Sequence, residues 1–144
     1  MNWKDYLVEQ LKRHEGFRSK PYRCSAGVWT IGYGHTGGVT PKSPPMPQDI
    51  AEDILRQDVL IAIDDARAVC PCFDALSPPR KVVVANMAFN MGRNTLSQFT
   101  NTLRFICSGD YKQAALNMMK SKWATQVGPR ARELSQMMST GQYR

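Results

Sequence analysis

The sequence contains no apolar run that approaches the roughly 18 residues needed to cross a bilayer, so we expect no membrane span. Its first residues also lack the unbroken apolar stretch that is typical of a secretory signal. Histidine is scarce, with only His14 and His35 among 144 residues. In other respects the composition is ordinary, because 42% of the residues are hydrophobic and 22% are charged. These proportions exclude a disordered or fibrous protein.

Acidic residues are rare in the second half of the chain. Residues 75–144 carry ten basic side chains but only Asp110 and Glu133 as acidic ones, whereas residues 1–74 carry nine basic and ten acidic side chains. The net charge of +7 therefore lies in the second half. Such asymmetry is typical of proteins that bind a polyanion, either nucleic acid or an anionic cell wall, and it also fits a solvated basic surface.

The cysteines do not form a recognisable metal motif. Cys70 and Cys72 are separated by one residue, but no second pair of ligands stands at the spacing of a structural zinc site. We therefore expect no metal site. Without a secretory signal we expect reduced thiols, and we expect Cys70, Cys72 and Cys107 to pack as small buried side chains.

Hydrophobic periodicity predicts a mostly helical chain with one β-containing segment. Helical spacing indicates helices over about 3–14 and 48–69, whereas apolar residues within 17–39 alternate with period two. The second helix would span roughly 30 Å, enough to bridge two lobes. Its apolar residues are expected near one side of the helix, namely Ile50, Ile54, Leu55, Ile61, Ala62 and Val69.

The remainder of the chain is predicted to be helical. Ser77 is expected to cap a helix with an apolar body, and Asp110 is expected to cap a later one. Another helix is indicated by Leu96, Phe99, Leu103 and Ile106, and the last begins at Gly128-Pro129.

These elements predict an α+β fold that is mostly α and forms a single domain over residues 1–144. We expect a small β-hairpin lobe over about 15–47 and a connecting helix over about 48–69. A larger helical lobe, about 70–144, is expected to include the N-terminal helix.

Two local patterns are candidates for a binding or catalytic site. Gly32-Tyr-Gly34-His-Thr-Gly37 matches a dinucleotide fingerprint, but no helix follows it directly. We interpret these glycines as a tight hairpin with room for a ligand near the backbone. Glu15, at the end of the first helix and ahead of Cys24 and Thr30, is placed to line a cleft between lobes. A carboxyl group there is suited to glycoside cleavage.

A competing pattern consists of Cys24, His35 and Asp58. These are the residue types of a thiol hydrolase, in which a histidine base activates the cysteine and a carboxylate orients the histidine. An amidase or peptidase is therefore an alternative function.

Several segments closely resemble phage-type lysozymes, or endolysins. His14–Tyr22 and Trp29–His35 resemble the catalytic segment of that family. Four further segments resemble the helical lobe of that family, namely Asn86–Gly92, Phe99–Arg104, Ser121–Trp123 and Pro129–Glu133. The resemblance covers about residues 3–143 in the right order. It implies a small β-lobe and a helical lobe joined by a long helix. It also implies hydrolysis of the β-1,4 bond between N-acetylmuramic acid and N-acetylglucosamine in peptidoglycan, which lyses the host cell.

The resemblance also implies a catalytic set of Glu15, Cys24 and Thr30. Glu15 would be the general acid, and Thr30 would hold the attacking water or the group beside it. Cys24 replaces the aspartate that is commoner in the family. Its thiolate would be favoured by the neighbouring cations of Arg18, Lys20 and Arg23. The family usually inverts the anomeric carbon, whereas a cysteine nucleophile would give retention.

Further positions follow from the same resemblance. His35 and Asp58 are expected to form a structural ion pair, and Arg130 to pair with the catalytic glutamate. Glycan contacts are expected from Thr36, Phe89, Thr102 and Asn117. The implied protein is a monomer that binds peptidoglycan through its basic half, needs no cofactor or metal, and does not bind nucleic acid. It would remain in the host cytoplasm until a membrane lesion releases it to the cell wall.

Two alternatives stay open at this point. One is a thiol-dependent peptidoglycan amidase that uses Cys24, His35 and Asp58. The other is a module without catalytic activity that binds cell wall or nucleic acid through the basic half, with Tyr111 and Trp123 as aromatic contacts.

Overall fold

The computed structural model describes residues 2–144, which divide into two compact units, residues 4–61 and residues 62–144 with the start of the chain. The elements are helix α1 (Trp3–Glu15), strands β1 (Arg18–Arg23) and β2 (Trp29–Gly32), helix α2 (Gln48–Val69), a 3₁₀ turn (Phe73–Ala75), and helices α3 (Pro78–Ser97), α4 (Thr100–Cys107), α5 (Tyr111–Lys120), α6 (Lys122–Val127) and α7 (Pro129–Thr140).

The predicted α+β, mostly helical fold is confirmed, whereas the assignment of the chain to one domain stays a prediction. No helix within residues 2–144 combines the length and apolar composition that a bilayer crossing requires.

The unit of residues 4–61 contains α1, the two strands and the first part of α2. Strands β1 and β2 form an antiparallel sheet in which Tyr22 pairs with Thr30 and Arg23 pairs with Trp29. Helix α1 buries Leu7 and Leu11. The residues of α1 from Lys4 onward thus lie with the strands, whereas the sequence grouped this helix with the helical lobe.

Helix α2 has the predicted bounds but a different buried side. Ile50 and Ile61 are 45% and 60% exposed, so the apolar side predicted from the sequence is not the side that is buried. The buried positions are Ala51, Leu55, Val59, Ala62, Ile63 and Ala66. These residues follow the three- and four-residue spacing of one helix face, on which alanine fits as well as larger residues.

Helix α3 is the most deeply buried helix segment of the unit that begins at residue 62, since Val82 to Ala88 are all buried. Ser77 has extended backbone angles at the N-cap position, but its hydroxyl makes no capping hydrogen bond. The predicted cap is therefore wrong. A cap oxygen accepts from the second or third helical N–H, and Pro79 at the second position removes one of these two donors.

The helices after α3 differ from prediction in their boundaries. Helix α3 is interrupted at Gly92, whose φ of 84° and ψ of 164° are not helical, and Leu96 lies in the short segment that follows. This segment ends before α4 begins, so the grouping of Leu96 in one helix with Leu103 and Ile106 was wrong. Asp110 does cap α5, because its carboxylate accepts a hydrogen bond from the Gln113 amide at 3.3 Å. Helix α6 and the 3₁₀ turn were not predicted, because six and three residues are too short to establish a hydrophobic period.

The cysteines contradict the expectation of four reduced thiols. Cys72 and Cys107 form a disulfide across 35 residues, and Cys24 and Cys70 are free. Cys70 is buried as predicted, but Cys72 is half-buried and Cys107 is exposed. The spacing of cysteines in the sequence does not reveal this pairing, because helix packing brings the two residues together.

Candidate functional site

Glu15 is the last residue of α1, and its carboxyl lies against the backbone of Gly34. The helix ends because Gly16 adopts a φ of 68° and its N–H donates to the Lys12 carbonyl at 2.9 Å. A Cβ atom placed on Gly34 would lie 2.7 Å from Glu15 Oε1. Only glycine leaves room for the carboxyl at this position. The sequence analysis predicted room for a ligand near the backbone of these glycines. In the structure the group beside Gly34 is the side chain of Glu15.

Cys24 and Thr30 lie within hydrogen-bonding reach of each other at the turn that joins β1 to β2. The backbone N–H of Cys24 donates to the Val28 carbonyl at 3.0 Å, and the Thr30 hydroxyl donates to the same carbonyl at 2.9 Å. Thr30 is buried and Cys24 is half-buried. Because a hydroxyl carries one proton, Thr30 can donate either to this carbonyl or to the Cys24 sulfur, but not to both at once.

The environment of Cys24 favours its thiolate. Burial by itself raises the pKa of this thiol, but hydrogen bonds from the backbone of Val28 and Ala26 and from the Thr30 hydroxyl outweigh burial. The pKa is therefore lowered from its ordinary value. A lowered pKa makes this sulfur the more reactive and more easily charged of the two free thiols, since burial raises the pKa of Cys70.

Two of the basic side chains near Cys24 in sequence pack on aromatic rings. The Arg18 guanidinium lies 4.3 Å from the centre of the Tyr22 ring, and that of Arg23 lies 5.3 Å from the centre of the Trp29 ring. That the neighbouring cations favour the thiolate stays a prediction. The hydrogen bonds from the turn lower the pKa of Cys24. The guanidinium groups of the two arginines pack on aromatic faces.

Tyr22 is a site residue that was not predicted. Burial raises the pKa of its hydroxyl, and the negative charges of Glu15 and Cys24 raise it further, while Arg18 lowers it. Tyr22 is therefore close enough to Glu15 and Cys24 for the charges of both to act on the pKa of its hydroxyl. The signal in the sequence was its register, because the hairpin places Tyr22 directly opposite Thr30.

Replacing Thr30 by valine removes the hydroxyl and largely keeps the shape of the side chain. We expect the pKa of Cys24 to rise, because one hydrogen bond that lowers it is lost. A smaller fraction of thiolate at neutral pH then slows alkylation of Cys24 by iodoacetamide, and the pH profile of that reaction moves upward. Thr36→Val is the matched control, since Thr36 is exposed and does not shift Cys24. An unchanged profile in Thr30→Val would exclude donation from Thr30 to the thiolate.

His35 is engaged with Asp58. Its Nδ1 lies 2.7 Å from Asp58 Oδ2, and the side chains are 25% and 22% exposed. The predicted pairing of these two side chains is therefore present. Among the described residues no hydrogen bond joins His35 to Cys24, so the structure does not assemble the thiol-hydrolase triad.

Arg130 lies in the other unit, where both Nε and Nη2 donate to Asn86 Oδ1 at 3.0 and 2.8 Å. Asn86 is fully buried and was not predicted as a partner. A polar residue in the apolar stretch of α3 was the signal that could have identified it, since a buried amide needs a partner. The pairing of Arg130 with Glu15 stays a prediction.

The four predicted glycan contacts are distributed over both units. Thr102 and Asn117 line one cavity of about 540 Å³ in the unit of residues 62–144. Phe89 is half-buried in the same unit but does not line that cavity. Thr36 is exposed on the unit of residues 4–61. Other residues that line the cavity include Gln98, Phe99, Asn101, Trp123 and Gln126.

One group of side chains has the composition of a metal site within residues 2–144. The sulfur atoms of Cys70, Cys72 and Cys107 lie within 4.8 Å of one another. This group belongs to the unit of residues 62–144, whereas Glu15, Cys24 and Thr30 belong to the unit of residues 4–61, and none of its members was predicted as a ligand.

Residues 12–137 match the protein family described as phage lysozyme, and this range contains Glu15, Cys24 and Thr30. An endolysin of Acyrthosiphon pisum secondary endosymbiont phage 1 is 33% identical over 122 residues, which cover 83% of this chain and 80% of that protein. A probable T4-type lysozyme 2 of Dictyostelium discoideum is 26% identical over 160 residues, or 94% of each chain. A SAR-endolysin of Escherichia phage P1 is 38% identical over 99 residues, which cover 67% of this chain and 51% of that protein.

Proposed function

The chain belongs to the phage lysozyme family and is a lysozyme-type hydrolase of bacterial cell walls, and we propose that it cuts the β-1,4 bond from N-acetylmuramic acid to N-acetylglucosamine. The observation that carries this proposal is the Glu15 carboxyl, which lies against Gly34 in the same unit as the paired Cys24 and Thr30. A carboxyl together with a second group that bears negative charge is what glycoside hydrolysis requires. As an endolysin, the protein would lyse its host.

In the proposed mechanism Glu15 acts first as the general acid. Its protonated carboxyl donates a proton to the glycosidic oxygen as the bond from that oxygen to the anomeric carbon breaks. The narrow space beside Gly34 limits the positions that the carboxyl can adopt, and a fixed acid transfers its proton more efficiently than a mobile one.

Cys24 and Thr30 act on the other reactant, a water molecule. The Cys24 thiolate accepts a proton from this water, which attacks the anomeric carbon, and its negative charge stabilises the positive charge that develops on the sugar. Thr30 orients the water or the thiolate through its hydroxyl. The lowered pKa of Cys24 supports this assignment, because a neutral thiol would perform neither task.

We propose that the cavity in the unit of residues 62–144 binds part of the glycan. Its lining combines an aromatic surface from Phe99 and Trp123 with the polar side chains of Thr102 and Asn117. Sugars present both apolar faces and hydroxyl groups, so such a mixed lining suits them. The Trp123 indole N–H donates to Asn90 Oδ1 at 2.6 Å, which fixes the ring.

The amidase alternative receives less support than the muramidase. A thiol amidase needs a histidine base beside the nucleophile, and among the described residues no hydrogen bond joins His35 to Cys24. Assays on purified peptidoglycan distinguish the two functions, because a glycosidase releases new reducing ends and an amidase releases new amino groups. We expect reducing ends to appear without amino groups. Amino groups without reducing ends would overturn the proposal, and binding without either product would favour the module that lacks catalytic activity.

Replacing Gly34 by alanine tests whether the position of the Glu15 carboxyl matters. We expect Gly34→Ala to lower the rate of cell-wall hydrolysis by about 10²-fold, because the added methyl would displace the carboxyl. The measurement is the clearing rate of purified cell walls.

Gly38→Ala is the matched control for this experiment. Gly38 and Gly34 have φ values of +70° and +73°, so alanine costs about 1–2 kcal/mol of backbone strain at either position. Nothing lies within 4 Å of a Cβ at Gly38. Its variant should therefore lose stability but keep its activity. Equal activity in the two variants would contradict the proposed role of Gly34.

The basic half should bind the anionic cell wall by long-range attraction. The Debye length is about 10 Å at 0.1 M salt and about 3 Å at 1 M, so we expect affinity for purified sacculi to fall severalfold over this range. Replacing the exposed Lys112 and Lys120 by glutamine should weaken binding more than the same change at the exposed Lys20 and Lys42. An affinity independent of salt would exclude an electrostatic contribution.

A further inference from the structure

Cys70 brings a free thiol into contact with both sulfur atoms of the disulfide. Its Sγ lies 3.7 Å from Cys72 Sγ and 3.8 Å from Cys107 Sγ. The disulfide joins the other two cysteines directly. Reduction of that bond would therefore leave three thiols at the corners of a small triangle, in a region that the glycosidase mechanism does not use.

The spacing of these sulfur atoms suits a thiolate-bound metal ion. A Zn–S bond is about 2.3 Å long, and tetrahedral geometry then separates two sulfur ligands by about 3.8 Å. Two edges of the triangle, those from Cys70, already have this length. On reduction Cys72 and Cys107 separate to a non-bonded distance, which supplies the third edge without moving Cys70.

The surrounding backbone also favours a cation. Helix α2 ends at Val69, immediately before Cys70, and Cys107 is the last residue of α4. The C-terminal end of a helix carries a partial negative charge, which stabilises cations and destabilises bare thiolates. A divalent ion would satisfy both the helix ends and the thiolates. It can enter from solvent, because Cys107 is exposed and Cys72 is half-buried.

We propose that reduction of the Cys72–Cys107 disulfide converts Cys70, Cys72 and Cys107 into a three-thiolate site for a thiophilic divalent cation of the zinc class. Two molecules of a small thiol reduce the disulfide and leave as their own disulfide, so two electrons enter the protein and two new protein thiols form. The ion then displaces three protons from the three thiols. Water occupies the fourth tetrahedral position.

Cadmium titration of the full chain tests this proposal. The protein is reduced with a phosphine under nitrogen, freed of reductant, and titrated with Cd²⁺ alone while the ultraviolet band of thiolate-to-cadmium charge transfer is recorded. We expect one Cd²⁺ per chain in the reduced protein, a rise in Tm on binding, and at least tenfold weaker binding in the oxidised protein. Equal uptake by the oxidised and reduced forms would overturn the proposal.

Variants assign the ligands and separate them from Cys24. Cys70→Ser and the exposed Cys107→Ser should each bind Cd²⁺ at least about tenfold more weakly, since even the loss of an outer-shell partner costs about 10–100-fold. Circular dichroism establishes that each variant is folded. Cys107→Ser is the variant less prone to misfolding, because its side chain faces solvent. The control is Cys24→Ala, which should bind as the wild type does. Loss of binding in Cys24→Ala, or wild-type affinity in Cys107→Ser, would overturn the assignment.

Discussion

Replacing Glu15 by glutamine is expected to lower the rate of cell-wall hydrolysis by about 10²–10⁴, while the fold stays intact. The amide has the size and shape of the carboxyl, so it fits the space beside Gly34. It has no acidic proton to donate to the leaving oxygen, and general acid catalysis contributes about this factor to the rate. Turnover of purified cell walls measures the loss, and circular dichroism measures the fold.

Glu9→Gln is the matched control for this substitution. Glu9 lies in the same helix, α1, and its exposed carboxylate forms a 3.5 Å ion pair with Lys12. A surface pair of this kind contributes about 0–1 kcal/mol, so the variant should be nearly as stable and as active as the wild type. Activity of Glu15→Gln within threefold of Glu9→Gln would remove Glu15 from the mechanism.

The second large effect concerns Cys24. Cys24→Ser should lower hydrolysis by at least about tenfold, because a serine hydroxyl does not ionise near neutral pH and is a poor base. Cys24→Asp should keep substantial activity. A carboxylate can accept the same hydrogen bonds from the Val28 and Ala26 backbone and from Thr30 that favour the thiolate. Wild-type activity in Cys24→Ser would make Cys24 a packing residue.

Alkylation provides an independent measurement of the same role. Iodoacetamide should inactivate the wild type and leave Cys24→Asp active. The reagent should be selective, because Cys24 is half-buried with a lowered pKa, whereas burial raises the pKa of Cys70. Cys72 and Cys107 are protected by their disulfide. Inactivation of Cys24→Asp at the wild-type rate would place the sensitive thiol elsewhere. Activity in Cys24→Asp would also exclude an acyl-transfer amidase, since a carboxylate does not replace a thiolate in that chemistry.

Local signals in the sequence predicted most of the helices and the hairpin. The bounds of α2 follow from its apolar period and from Pro71, and α7 begins at Pro129 as expected. The inward face of α2 was less predictable. Alanines at positions 51, 62 and 66 are buried while Ile50 and Ile61 are exposed, because packing against neighbouring elements decides which residues are covered.

The candidate site was predictable only where its residues are close in sequence. Residues of the hairpin are close in sequence, so Cys24 and Thr30 could be expected to meet, and the two side chains lie within hydrogen-bonding reach of each other. Three other contacts join residues that are distant in sequence. They are the contact between Glu15 and Gly34, the hydrogen bond from Arg130 to Asn86, and the disulfide. No local pattern specifies such contacts, because tertiary packing creates them.

Mass spectrometry of digested peptidoglycan tests the central claim most directly. This claim is that the protein cleaves the bond from N-acetylmuramic acid to N-acetylglucosamine with Glu15 as its general acid. The products are reduced with borohydride, so each new reducing end carries a label that identifies its sugar. We predict that the wild type produces fragments ending in reduced N-acetylmuramic acid and that Glu15→Gln does not. Fragments ending in reduced N-acetylglucosamine, or free peptides beside intact glycan strands, would contradict this account.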